Sequence, residues 1–290
     1  MLAAAITCRQ QHGAGDADMN LPGALHTAAR RYCLERHAYW CDRYAEVLRQ
    51  GKDRQPDRYH YTPAALATFP RYNVLNAIRI ELERIDPATL RDVEDTRALL
   101  LLAGIAAEDE FTTPAIGEID QRSMAEERAA FRLYVAGLQA TDLDTVAALP
   151  YRRVLTAEEA RSIWSALRDR WQVPPGYWYP LADCTLSDIA AFNAEAFAAA
   201  VPYQRLQGML TTQGIERVWE LRESGPEYEQ EVALFEPCYN GAEGYWSYEG
   251  LAWVVYASHE NSVTVAGWLL QELKKEWPLW QAGTWTGSLD

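Results

Sequence analysis

At 290 residues, 49% hydrophobic and 23% charged, the chain has the length and composition of a folded protein with a sizeable core. Its formal charge of −14 is unevenly shared: residues 176–290 hold five basic side chains against sixteen acidic, a charge of −11, which leaves −3 for residues 1–175. Such a balance repels phosphate backbones and anionic lipid, so nucleic acid and membrane are poor partners, whereas a basic protein or a cationic ligand is attracted.

No apolar run approaches the roughly eighteen residues that a membrane helix needs. The opening from Met1 to Cys8 lacks the basic region of a secretory signal, so a cytoplasmic location is expected. The cysteines (Cys8, Cys33, Cys41, Cys184, Cys238) are odd in number and widely spread, which suits free thiols in a reducing compartment.

In chain order, residues 1–20 are expected to be a flexible N-terminus, and residues 21–175 a helical bundle of five to seven helices. Apolar residues recur at helical spacing from Ala24 to Leu48 and from Asn73 to Leu82, and Asp86-Pro87 pairs an N-cap with proline at the first helical position. Ala98 to Ile105 is apolar almost all round and predicts a central buried helix. Ser123 to Glu126 and Thr156 to Glu159 fit the capping-box pattern, each ahead of an amphipathic run.

The character changes near Val173-Pro174-Pro175-Gly176. Leu186 to Ala200 and Tyr203 to Thr211 still read as helix. Arg217 to Glu223 and Tyr228 to Phe235 alternate with period two around the turn Ser224-Gly225-Pro226, which predicts a hairpin. Leu251 to Ala257 and Ser262 to Ala266 predict a second hairpin through Ser258 to Asn261, and Gly267 to Trp277 a closing helix. The expected fold class is α+β: a mainly helical N-terminal bundle, then over residues 176–290 an antiparallel β-meander of four or five strands with flanking helices.

Motifs that carry chemistry are sparse. The chain has no phosphate-binding loop, dinucleotide turn, nucleophile elbow or His-Glu-x-x-His helix, and nothing in it calls for a cofactor. Cys33, His37 and Cys41, spaced by four, would line one helix face as metal ligands; an ordinary buried face is the rival reading. His259 and Glu260, with Cys238 brought near in space, could form a base and nucleophile of a hydrolase or transferase; the rival is a turn whose polar residues satisfy the backbone. In an extended arrangement Glu260 would face away from His259.

Acids and aromatics interleave around residues 219–260. Trp219, Glu229, Glu231, Tyr239, Glu243, Tyr245, Trp246, Tyr248, Glu249, His259 and Glu260 read as a partner-binding surface, because Tyr and Trp with a polar rim make binding hot spots. A small aromatic core under a long loop is the alternative for Tyr239 to Tyr245.

The run Trp253-Val-Val-Tyr-Ala-Ser-His-Glu260 followed by Val263-Thr-Val-Ala-Gly267-Trp resembles the C-terminal strands of immunity proteins of bacterial polymorphic toxins, over about a tenth of the chain. The resemblance implies an acidic, cytoplasmic, non-catalytic protein that occludes the site of a toxin domain. With the charge distribution it leads to the expectation of a protein-binding module that neutralises a basic partner.

Overall fold

The computed structural model describes residues 21–113 and 117–287; the expectation for residues 1–20 lies outside them. The N-terminal layer is built on α1 (Leu21–Arg49), α2 (Pro63–Leu66), α3 (Phe69–Glu83), α4 (Val93–Ala106), α5 (Glu118–Gly137) and α6 (Ala140–Leu143). Leu25, Ala28, Ala29 and Cys33 recur three or four apart on α1, and that stripe packs against Val74, Leu75, Ile78 and Leu82 of α3. Within the same seam the ring of His26 hydrogen-bonds the Leu82 carbonyl at 2.8 Å.

Helix α4 departs from expectation. Only Thr96, Leu100 and Gly104 are buried, while Leu99, Leu102 and Ile105 are 46%, 58% and 54% exposed. One side of α4 rests on α5, where the Phe131 ring takes the space that a side chain at Gly104 would need. Among the described residues the opposite side has no neighbour, and apolar composition alone cannot supply one.

Start signals divide in the same way. Asp86 caps only a single 3-10 turn, Pro87–Thr89, and the following helix is capped by Asp92, whose carboxylate accepts from Glu94 N and Asp95 N at 2.8 and 3.0 Å. Ser123 is buried inside α5, which begins five residues earlier, so no cap forms there. The Thr156–Glu159 box forms with both reciprocal bonds and opens α7 (Ala157–Trp171).

Among the described residues seven strands form one antiparallel sheet in the order β1-β4-β3-β5-β6-β7-β2: β1 (Arg152–Val154), β2 (Ile189–Asn193), β3 (Arg217–Arg222), β4 (Tyr228–Glu231), β5 (Gly244–Ser247), β6 (Trp253–Ser258) and β7 (Ser262–Gly267). Both expected hairpins are present, as β3–β4 and β6–β7. Strand β2 corrects a helical reading: Ile189 to Asn193 pairs along β7, and Asn193 then caps the short α8 (Ala194–Ala200). Strand β1 pairs with β4 and α7 packs on the sheet, so the chain changes character near Pro150 rather than at residue 176.

The sheet is covered on both faces. On one, Val218, Trp246, Trp253, Val255 and Val265 meet Leu206 and Leu210 of α9 (Tyr203–Thr212) and Leu269, Leu270 and Leu273 of α10 (Trp268–Glu276). On the other, Leu221, Tyr245, Val254 and Tyr256 meet Leu167 and Trp171 of α7 and Trp178. Burial on both sides is why β6 reads as a continuous apolar run rather than an alternation.

The helical layer joins the sheet at β1 through charge. Glu83 of α3, 1% exposed, receives Arg30 at 3.1 Å and Arg79 at 3.4 Å, with Arg152 of β1 at 3.8 Å. Arg152 also reaches Glu220 of β3 at 3.2 Å. Among the described residues no helix is long and apolar enough to cross a membrane.

Candidate functional site

The register of the sheet separates residues that the sequence groups together. Trp219 lies opposite Ser247, and Arg222 lies opposite Gly244. Trp219, Glu229, Tyr248 and Glu249 therefore sit towards one end of the strands, and Glu243, His259 and Glu260 at the other, a separation of about 13 Å at the usual rise per residue. The expected single surface is two. Tyr245 and Trp246 leave it altogether, each 2% exposed: strand β5 begins at Gly244, so the last two residues of the anticipated loop are sheet. Tyr245 stacks on Tyr256 with ring centroids 4.6 Å apart, and Trp246 lies under the helices of the opposite face.

At the first end Trp219, Glu229, Tyr248 and Glu249 line a groove of about 730 Å³ with Glu216 and Arg217. Its acids divide: Glu216 and Glu249 are exposed, and Glu229 is matched from within. Glu229 accepts from Tyr151 Oη at 3.2 Å and is paired with Arg153 at 3.4 Å and Arg217 at 3.7 Å. Glu231, half-buried at the end of β4, pairs in register with Arg217.

The second end is built on the β6–β7 turn. Ser258 pairs with Ser262, which leaves a three-residue turn with Asn261 in the left-handed region at φ +53°. That turn, unlike an extended strand, points His259 and Glu260 at each other: His259 Nε2 lies 3.1 Å from Glu260 Oε1. Glu243, 2% exposed, accepts from the backbone N–H of His259 at 3.0 Å and from its ring Nδ1. The imidazole is thus held between two carboxylates.

The hydrogen bond to Glu243 raises the pKa of His259 above its ordinary value, partial desolvation opposes the rise, and the charges of Glu243, Glu260 and Glu223 add to it. A ring stabilised in its doubly protonated form is poorly suited to accept a proton as a general base. Beneath it the buried Tyr256 phenol is pushed up by desolvation and then by Glu243.

Around His259 the surface is aromatic. The Tyr177 ring lies 5.1 Å from the imidazole and Tyr239 6.4 Å, centroid to centroid. Both tyrosines are nearly half exposed, at 47% and 46%. Tyr177 was not anticipated: it comes from the segment between α7 and β2, and that segment is anchored from below by Tyr245 Oη donating to the Gly176 carbonyl at 3.3 Å.

The nucleophiles drawn from sequence are hydrogen-bonded to groups other than the His259 ring. Cys238 is hydrogen-bonded with Tyr203, and burial raises its thiol pKa. The Ser258 hydroxyl is taken by Ser262 at 2.7 Å and by Glu260 N at 3.2 Å. The helical ligand set fares similarly: Cys33 is fully buried in the α1–α3 seam, where burial pushes its thiol up, while the Cys41 sulfur rests 3.6 Å from His37 Nδ1. Among the described residues no three His, Cys, Asp or Glu side chains are grouped as a metal would require.

No family model matches the chain, and neither a curated protein nor a solved structure matches it significantly.

Proposed function

We propose that the protein is a binding module that captures a basic protein partner at the His259 end of its sheet, in the manner of an immunity protein that covers the site of a toxin domain. The observation that carries this reading is the pairing of two half-exposed tyrosines, Tyr177 and Tyr239, with the His259–Glu260 turn over the buried Glu243. Tyrosine rings attract a lysine or arginine of a partner through their faces, and rigid tyrosines lose little entropy on binding. Glu223 is exposed beside them, so the approach of a cation is favoured at long range. The contact between the half-exposed His259 and the buried Glu243 keeps the turn in one shape before the partner arrives, which lowers the ordering cost of association.

The test is co-expression with the product of the neighbouring reading frame and with a panel of basic toxin domains, followed by calorimetry of any complex at low and at moderate salt. Tyr239→Ala is expected to weaken the complex at least tenfold, about 1.4 kcal/mol. Glu223→Lys with Glu260→Lys should weaken it and flatten its salt dependence. Glu94→Gln on α4, whose side chain is 79% exposed in the helical layer, should leave it unchanged. A partner bound equally by the wild type and the Tyr239 and Glu260 variants overturns the assignment of the surface, and the absence of binding across the panel overturns the reading of function.

A further inference from the structure

Between the helical layer and the sheet lies a cleft of about 660 Å³, a volume in the range of small-molecule sites. In a chain of charge −14 its charged floor is arginine: Arg79 from α3, Arg152 from β1 and Arg222 from the end of β3. Their side chains are only 18%, 20% and 18% exposed.

Each guanidinium offers five N–H donors. Across the three, four hydrogen bonds to protein acceptors form among the described residues: Arg79 to Glu83 at 3.4 Å and to Asn76 at 2.7 Å, Arg152 to Glu220 at 3.2 Å, and Arg222 to Asn240. The buried Nε of Arg152 has no hydrogen-bond acceptor among those residues, its ion-pair partner Glu83 lying 3.8 Å away. Glu83 and Glu220, 1% and 5% exposed, orient the three groups without exhausting either their charge or their donors. Arg152 is further fixed by lying 3.8 Å over the ring of Tyr228. Desolvated arginines with donors unspent are costly to keep unless something arrives to use them.

We propose that this cleft binds a small molecule bearing a phosphate or carboxylate group, the oxyanion seated among Arg79, Arg152 and Arg222. Planar guanidinium forks match the oxygens of such groups two at a time. Phe111 on the lip, 67% exposed, supplies a flat apolar surface for the rest of the ligand. Asp109 and Glu110 share that lip, so a ligand with further negative charge on its body is disfavoured, and the site selects a single anionic head. Nothing in this assignment depends on a protein partner at His259.

Calorimetry of the full chain at low salt with inorganic phosphate, benzoate and phenyl phosphate tests it. Phenyl phosphate or benzoate is expected to bind in the millimolar range or tighter, and the preferred head tells phosphate from carboxylate. Arg222→Ala should weaken binding at least tenfold, and Arg222→Lys, which keeps the charge without the fork, should weaken it by less. Phe111→Ala should weaken the aromatic probes and leave inorganic phosphate unchanged. Arg205→Ala, a surface arginine paired with Glu276, should bind as the wild type does. If Arg222→Ala fails to fold, Arg222→Lys and Phe111→Ala carry the test. No binding by any probe, or binding indifferent to Arg222 and Phe111, overturns the proposal.

Discussion

The joint between the helical layer and the sheet rests on Glu83, and Glu83→Ala should expose how much. The carboxylate is 1% exposed and faces Arg30 at 3.1 Å, Arg79 at 3.4 Å and Arg152 at 3.8 Å. At an effective dielectric of about 20, a pair at such separations attracts by about 4 kcal/mol, and desolvation of both partners cancels much of that in the folded state. Truncation is costlier than the net worth of the pair, because the arginines stay behind. Arg30 is 6% exposed and among the described residues its Nε already lacks an acceptor, so removing Glu83 leaves a buried cation with the Pro150 carbonyl, at 3.3 Å, as its remaining hydrogen-bond partner there. Breaking one side of a buried pair costs about 3–5 kcal/mol. For a chain of this size each kcal/mol lowers the melting temperature by about 2–4 °C, so scanning calorimetry should show a fall of roughly 6–20 °C. Glu83→Gln keeps an acceptor but not the charge and should fall between that variant and the wild type. In a double-mutant cycle with Arg152→Met, a coupling of about 1 kcal/mol or more is expected. A fall of less than about 2 °C for Glu83→Ala, or strict additivity in the cycle, would refute the view that this carboxylate organises the joint.

Three further outcomes are expected. His259 should titrate by NMR above its ordinary pKa, and Glu243→Gln should bring it down; because the folded-state value is raised, the stability from this contact is complete below about pH 6.5 and fades as pH rises through the elevated value. An unchanged titration in Glu243→Gln would show that the pair does not form. On α4, Leu100→Ala should cost about 2–5 kcal/mol in denaturant melts because Leu100 is wholly buried, whereas Leu102→Ala, at a side chain 58% exposed, should stay within about 0.5 kcal/mol; equal losses would contradict the orientation of the helix. Gly267→Ala should cost about 1–3 kcal/mol from backbone strain alone, since Gly267 adopts φ +77° and an added Cβ would run into the Ala252 carbonyl oxygen; an unshifted denaturation midpoint would count against that geometry.

How much of the fold could be read in advance depends on how local each signal is. The Thr156–Glu159 box is complete within four residues and forms as written. The β3–β4 and β6–β7 hairpins combine alternation with turn chemistry over short spans. Strand β1 is three residues long, two of them arginine, and exists because β4 lies beside it. Strand β2 runs Ile-Ala-Ala-Phe, a composition as good for helix, and only its ladder with β7 decides the matter. For α4 the composition promised burial, but burial depends on neighbours, and nothing covers Leu99, Leu102 and Ile105 among the described residues.

Apart from Tyr177, the candidate site was legible in its members rather than in its geometry. Glu243, His259, Glu260 and Tyr239 all stand out in the sequence, yet their convergence requires the β5–β6 register and a turn tight enough to fold Glu260 back towards the imidazole. The same dependence on pairing revises what the −11 of residues 176–290 means. Glu220 is answered by Arg152 and Arg222, Glu229 by Arg153 and Arg217, Glu227 by the Trp164 indole at 3.0 Å, and Glu243 by His259. Two of those arginines, Arg152 and Arg153, come from before residue 176, so a charge sum over a stretch of sequence counts acids whose partners lie outside it. The carboxylates left to steer a partner are exposed ones such as Glu216, Glu223, Glu236 and Glu249, and a field made by a few exposed charges is screened within about 10 Å at 0.1 M salt. Attraction of a basic partner should therefore act mainly on the rate of encounter, while the lifetime of the complex is set by what Tyr177 and Tyr239 bury against it.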